Sequence, residues 1–552
     1  MLETPPHRFS EPDRHGRTAI ASRTGCAVLL ALAAACGGTR VAPSSAATPS
    51  PVPQPLDWTP LQPSPGTLHV YVSSSSGSDN YSGFSEDSAK RTLKGARNLL
   101  RDGQPDWLHI MRGDTFLEGL GDWRLSGRSA DEPMVVTTYG SSGVRPRLVC
   151  RTDAGLTVHT VGVHDVAFVG LDFQADDPTG VRGSIGISLL APCTRVLIED
   201  CAISSFFVNV RLQGSHHDLK LRRSVITDAF TVTDGHAQGL YVDGVDGFLL
   251  EQCVFDHNGW SSVVPGANAT PYRHNVYLQG NNTSSMTVRG NIIARGASHG
   301  MQARSGGVIR DNVFLGNAIN MLIGSDIVGN GAVTAAVIGN VMLDGRDISE
   351  TYRRGWAAAF QCLAAGEIAY NVAAHQITGT QPLGYVFEST PGVGVNDTTF
   401  HDNVAYGWGA PLMMFGHRFA GLRLRDNDLQ EIGATELFHA DYSAALEGFT
   451  SVGNRLFSFA PANTWMFYAQ QQMSLEEWRV AVNDAESVAV RVSYPRPQET
   501  IADYDAATGG AGSLESFLAR ARLQSRANWN ENLTGTTVAR HFRANFDVRV
   551  PD

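Results

Sequence analysis

Three short segments carry titratable, aromatic and carboxylate-binding side chains at matching offsets: Gln238-Gly-Leu-Tyr-Val-Asp-Gly244, His274-Asn-Val-Tyr-Leu-Gln-Gly280 and His299-Gly-Met-Gln-Ala-Arg-Ser305. Strand alternation turns Leu240/Val242, Val276/Leu278 and Met301/Ala303 to one side and stacks the others on the opposite side. That gives the columns Tyr241/Tyr277/Gln302, Asp243/Gln279/Arg304 and Gln238/His274/His299, with His236 and Arg273 beside them and Arg211 and Gln213 in the preceding repeat. Imidazole and phenol groups suit proton transfer, and arginine suits a carboxylate held through two hydrogen bonds. His274, Tyr277, His299 and Arg304 are therefore the catalytic candidates. Arg211, His236, Tyr241, Asp243, Trp260, Arg273, Gln279 and Gln302 are the candidate substrate-binding residues, Trp260 on an insertion of about residues 259–272 as a stacking platform.

The chemistry such a surface supports is elimination across a uronic acid linkage. It requires neutralising the carboxylate, removing the neighbouring ring proton and protonating the leaving oxygen. His274 or His299 would be the base near neutrality, or Tyr277 or Tyr241 if an arginine lowers its pKa, with arginine or Ca²⁺ on the carboxylate. The rival chemistry, glycoside hydrolysis, needs two carboxylates, for which Asp243, Asp246, Glu251 and Asp256 are available. A non-catalytic glycan-binding surface is the third alternative. Asp243 would orient a histidine or bind calcium.

What positions these residues is a repeat. From residue 160 to 456 a unit apolar-x-apolar-x-x-marker-x-apolar recurs with markers Leu171, Cys201, Ser224, Cys253, Asn291, Asn312, Asn340, Asn371, Asn403, Asn427 and Asn454, spaced 21 to 38 residues apart. The spacing is too short for a strand-plus-helix unit or a propeller blade and fits coils of short strands stacked about 4.8 Å apart, a parallel β-helix. The marker asparagines are then a structural ladder rather than chemistry.

Composition agrees. The 552 residues carry 57 Gly, 18% charged residues and a net charge of −11, which suits a turn-rich β fold and argues against a nucleic-acid binder. Lysine is confined to Lys90, Lys94 and Lys220, so an acidic chain that meets an acidic polymer must use Arg211, Arg273 or Arg304. Cys150, Cys193, Cys201, Cys253 and Cys362 lack metal-ligand spacing and fit as core thiols, although Cys193 and Cys201 are near enough in sequence to pair.

Residues 1–36, arginines followed by the apolar run Ala27–Ala35 and Cys36-Gly-Gly, are expected to be an export signal of lipoprotein type with Cys36 lipidated, giving an outer-membrane, cell-surface, periplasmic or secreted protein. Residues 37–66 follow as a Pro/Ser-rich linker, 67–159 as an N-terminal cap with the first coils, 160–458 as the β-helix and 459–552 as a helical C-terminal capping region opened by the capping box Ser474-Leu-Glu-Glu477. The expected state is a monomer.

The stretch Leu68-His-Val-Tyr-Val-Ser…Gly77-Ser-Asp79, with a helix around residues 89–100 and the strand Leu108–Phe116, resembles the opening of secreted right-handed β-helix proteins of the pectate-lyase-like superfamily. The resemblance implies a right-handed parallel β-helix, all-β apart from its caps, acting on polysaccharide. The superfamily holds lyases, hydrolases, epimerases and tailspike-like binders. Neither the Lys-Arg pair of several of its lyases nor the Asp-Pro-His-Asp motif of its epimerases is present in the expected stretch.

Overall fold

The computed structural model describes residues 57–551 apart from 152–153, 178, 182, 284, 326–330, 376–378, 391, 417, 432–434 and 441–445. Residues 1–56, with the expected export signal and Cys36, lie outside the described residues.

From residue 62 onward the chain winds as a coil with three strand faces. One turn shows the order: Ile185–Leu189 on face C, Cys193–Glu199 on face A, Ala202–Ser204 on face B. Each strand pairs in parallel with its equivalent one coil on, Ile187 with Val210, Ile198 with Leu221 and Ile203 with Ile226. Two strands, Val208–Arg222 and Gln238–Glu251, run from face C into face A, with a register shift between Gln213 and His216.

Inward residues form one continuous core, with Ile203, Ile226, Phe255, Ile293, Phe314 and Met342 stacked on face B and Leu240, Val276 and Met301 on face C. The marker column is the ladder expected from sequence. Asn291 Nδ2 donates to Asn312 Oδ1 at 2.9 Å, and the relay continues through Asn340, Asn371, Asn403 and Asn427 to Asn454 at 2.9–3.1 Å. Each Oδ1 also accepts the backbone N–H of the preceding marker, so these buried amides are paired along the stack. The residue before each marker turns the corner in the left-handed region, from Asp200 at φ 58° to Gly453 at φ 69°. Asp and Gly recur there because they adopt that conformation at least cost.

Among the described residues the five cysteines are free and buried, and Cys193 and Cys201 do not pair. The strand Cys193–Glu199 separates them along face A, and each thiol instead contacts a backbone carbonyl, Ala191 O and Glu199 O. Burial pushes both up to about 12.

At the N-terminal end a shorter helix than expected, Leu93–Arg97 capped by Thr92, buries Leu93 and Ala96 over the first coil. At the other end Leu475–Val482 carries the expected capping box and seals the stack with Leu475 and Trp478. The rest of the tail departs from the expectation that it would lie over the last coils. Helices Ile501–Ala507, Leu514–Arg522 and Gly535–Asn545 cover the outer side of face B, burying Phe517, Leu518, Val538 and Phe542 against Val225, Val254, Ile292, Val313 and Val372. Arg522 reaches Asp228 at 2.8 Å and Asp256 at 2.5 Å, fixing the tail to early coils.

Candidate active site on face C

The coil registers bring the sequence columns together as read. Arg211 pairs with Tyr241, Tyr241 with Tyr277 and Tyr277 with Gln302; Gln238 pairs with His274; Gln213 pairs with Asp243. Their side chains stand on the outer side of face C.

Tyr277 occupies the centre, half-buried. Arg304 Nε donates to its hydroxyl at 3.1 Å, while Arg304 Nη1 donates to Ser325 Oγ at 2.6 Å. The rings of Tyr241 and His274 meet Tyr277 edge-on at 5.6 and 5.1 Å. His274 and His299 are buried and share a contact between their Nδ1 atoms at 3.1 Å, where one nitrogen must donate and the other accept. Ser298 Oγ lies 3.0 Å from the same His299 nitrogen. Burial first, then Arg304 and Arg354, hold His299 down to about 3. Burial first, then His299 and Arg304, lower His274 in the same direction. Both are neutral imidazoles across the ordinary pH range.

Tyr241 moves the other way. Burial and the Asp243 carboxylate raise it to about 12, so it keeps its proton and its hydroxyl remains a donor, 3.4 Å from Asp243 Oδ2. Asp243 is further tied to Asn281 Nδ2 at 3.0 Å and Gln213 Nε2 at 3.4 Å, and Arg211 Nε donates to Gln213 Oε1 at 2.9 Å. Gln279 hydrogen-bonds the Tyr241 hydroxyl.

Two candidates stand elsewhere. Arg273 is buried and donates to four backbone carbonyls, those of Thr231, Thr233, Gly235 and Asn268, at 2.6–3.2 Å. It clamps two loops, with four of its five N–H donors committed to backbone carbonyls rather than to a substrate carboxylate. Trp260 turns toward face B, where its Nε1 donates to Arg295 O, with Arg346 over its ring at 4.8 Å and His257 against it at 4.3 Å. Neither arrangement leaves it a sugar platform. His236 sits at the rim, exposed, stacked on Tyr272 at 5.3 Å and 13°. Lys220 lies on face A near Asp218.

Several neighbours were missed in the sequence. Ser325, the Gln361–Glu388 pair joined at 2.8 Å, Ser188 and His159 occupy columns of face C in coils before and after the aligned three. Their signal was the same repeat offset, obscured by the loops between coils. Beneath the site runs a second, fully buried amide relay: Asn209 to Asn258 at 2.9 Å, Asn258 to Asn275 at 2.8 Å, Asn275 to Asn317 at 3.2 Å and Asn317 to Asn320 at 3.1 Å. It fits because Gly239 and Gly300 lie against it. A Cβ there would come within 2.9 Å of the amides of Asn258 and Asn317. Asn275, between His274 and Val276, thus anchors the site strand from inside.

The carboxylates that a hydrolase would use are otherwise engaged. Glu251 is buried between Arg222 and Arg289, both at 2.5 Å, Asp256 is held by Arg295 and Arg522, and Asp246 is exposed with Thr283 and Ser285. Among the described residues no group of three or more His, Cys, Asp and Glu side chains is gathered to hold a metal. Asp243 with its amide partners offers calcium too few carboxylate oxygens.

The family model described as "Right handed beta helix region" matches residues 180–341, the coils that carry this site. The chain folds as a right-handed parallel β-helix, and its likeness to the pectate-lyase-like superfamily fits that architecture. Solved structures that resemble it include the GH136 lacto-N-biosidase from Eubacterium ramulus, at 12% identity over 76% of this chain and 67% of that one with a TM-score of 0.31. XylC in complex with xylose aligns at 8% identity over 78% and 87% with a TM-score of 0.43, and pectate lyase Pel9A at 11% over 66% and 79% with 0.30. At these identities the likeness concerns the coil architecture alone. No curated protein matches the chain.

Proposed function

We propose that the protein is a carbohydrate-active enzyme, a lyase that cleaves a uronate-containing polysaccharide by β-elimination. The observation that carries this reading is the Tyr277–Arg304 pair, a half-buried phenol oxygen accepting from a guanidinium at the centre of the polar columns. In the reaction, Tyr277 acts through its phenolate form, stabilised by the Arg304 guanidinium, and becomes the phenol as it takes the ring proton next to the carboxylate. The electron pair left behind forms the ring double bond, the bond to the leaving oxygen breaks, and that oxygen receives a proton. Tyr241, which keeps its proton and whose ring meets that of Tyr277 at 5.6 Å, serves as the donor in this reading. Arg304 neutralises the substrate carboxylate while steadying Tyr277, and Arg211 supplies a second cation along the face.

The histidines take a different part from the one their residue type suggests. His299, held to about 3, and His274, lowered well below the usual imidazole range by burial and by His299, are poor bases at neutral pH, so both support Tyr277 as neutral neighbours. We further propose that residues 1–36 export the chain, that Cys36 carries a lipid, and that the protein works as a monomer outside the cytoplasm.

The test is incubation of purified protein with alginate, pectate and glycosaminoglycans, with and without calcium, followed in the ultraviolet. Elimination leaves a conjugated double bond that absorbs there. Saturated reducing ends would identify a hydrolase instead, and binding without any new ends would identify a glycan-binding protein.

A further inference from the structure

Two of the three outward columns on face C turn apolar within one coil of Gln302, while the third, that of Asp243, Gln279 and Arg304, continues through Gly324 to Gln361 and Glu388. In the column of Arg211, Tyr241, Tyr277 and Gln302 the next outward residues are Leu322, Ala359, Val386 and Met413. In the column of Gln238, His274 and His299 they are Ile319, Trp356 and Leu383. These side chains point away from the interior and form an apolar cluster separate from the core. Yet Leu322 is 5% exposed, Ile319 4%, and Ala359 and Val386 0%. Outward apolar groups reach such values only when other parts of the chain pack over them.

The segment between Gly345 and Trp356 is part of that cover. Arg354 lies over the Trp356 ring at 5.3 Å, and its backbone N–H donates to Asp347 at 2.7 Å. The same carboxylate accepts from Thr380 Oγ1 at 2.6 Å, and Gln381 N donates to Arg354 O at 3.0 Å, so two loops are fastened together at this edge. Ile319 and Leu322 follow His299 and Gln302 in register one coil on, which sets the wall beside the reacting groups.

Toward the N-terminal coils the face continues polar. Beyond Arg211 come Ser188, the exposed His159 whose Nε2 lies 2.8 Å from Ser188 Oγ, and Thr157 paired with Asp122. From Gln302 back to Thr157 is five coil steps. At about 4.8 Å each that is roughly 24 Å, the length of about five sugar rings of some 5 Å.

We infer that the site takes the end of a polysaccharide chain, with the terminal sugar against the Leu322–Trp356–Arg354 wall and the body of the chain running over Tyr241, Arg211 and Ser188. This rests on the lyase reading for the reaction and on the wall alone for the mode of binding. The enzyme then trims short pieces from an end rather than cutting within the chain.

Two measurements on the full protein separate these parts. With polygalacturonate and with alginate, ultraviolet absorbance should rise while viscosity stays nearly constant and only the shortest products accumulate. An early collapse of viscosity with mid-length products would overturn end recognition and leave the lyase reading standing. Calorimetric stoichiometry on two chain lengths tests the binding mode without turnover. One protein per chain at both lengths is expected, and a number that grows with length would overturn the inference. For defined oligomers, kcat/KM should rise with length to about five sugars and then level, and Arg211→Ala should cost the pentamer at least tenfold more than the dimer.

Discussion

His299 provides a measurement that tests the buried histidine pair without knowledge of any substrate. In the unfolded chain its imidazole titrates at its ordinary value of 6.5, and in the folded chain burial and the nearby Arg304 and Arg354 hold it to about 3. Between those values the unfolded chain binds a proton that the folded chain refuses, so stability falls as the pH drops through this window. The cost is about 1.4 kcal/mol per pH unit, or about 2.7 kcal/mol between about pH 6.5 and 4.5. His299→Gln keeps an amide for Ser298 and His274 but removes the titration. It also frees His274 from one of the groups that depress it, which acts in the same direction. Urea midpoints of wild type and variant, measured from about pH 7.5 to about 4.5, should therefore converge on acidification. The variant's stability should gain on the wild type by about 2–3 kcal/mol across the range. Parallel curves would refute the reasoning, because they would mean that the imidazole takes up its proton without cost and that the pair is not sealed from water.

Tyr277→Phe should leave the fold unchanged and lower turnover by about 10²–10⁴-fold while polymer binding persists, checked by initial rates and calorimetry. Arg304→Lys keeps a cation but loses the planar fork that joins Tyr277 and Ser325, and kcat/KM should fall by about ten- to a hundredfold, from about 1.5–3 kcal/mol of charged hydrogen bonding. Asn275→Ala breaks the inner relay and removes the acceptor of the Asn258 backbone N–H and of one of its side-chain N–H groups, so denaturation midpoints should drop by the equivalent of about 1–3 kcal/mol. Arg273→Ala orphans four carbonyls and should expose the 257–273 loop to protease at unchanged Tyr277 chemistry, read by limited proteolysis beside initial rates.

The coil and the site columns were legible for one reason: both repeat at a fixed offset inside each turn. Asn291 to Asn454 announce themselves because the same amide returns at the same place, and Tyr241, Tyr277 and Gln302 follow from the same frame. The inner relay was hidden because it alternates between two places in the coil, Asn209, Asn275 and Asn320 at the start of face C and Asn258 and Asn317 at the corner before it. Arg273 and Trp260 were misjudged because partners remote in sequence decide their roles, carbonyls up to 42 residues away for one and Arg346 for the other. The docking of the tail did have a signal. Face B strands such as Val254–Asp256, Ile292–Ala294 and Val372–Ala374 are buried at every position, which requires cover on both sides. Alternation of inward apolar and outward polar residues does not hold on such strands.

That cover changes what sort of object the molecule is. A stack of coils in which each turn touches only its neighbours is stabilised locally and can be shortened at its growing end. Here Arg522 grips Asp228 across 294 positions of chain, and Arg145 donates to the carbonyl of Gln524 across 379. The last turns to be synthesised thus secure some of the first, and the middle coils keep bare apolar backs until the C-terminal 60 or so residues arrive. The export proposed above would suit such an order of events, since the chain stays pliable until its final segment emerges and then locks along its length. Deleting that segment would remove a longitudinal fastening rather than an end piece, with its effects spread over coils hundreds of residues upstream.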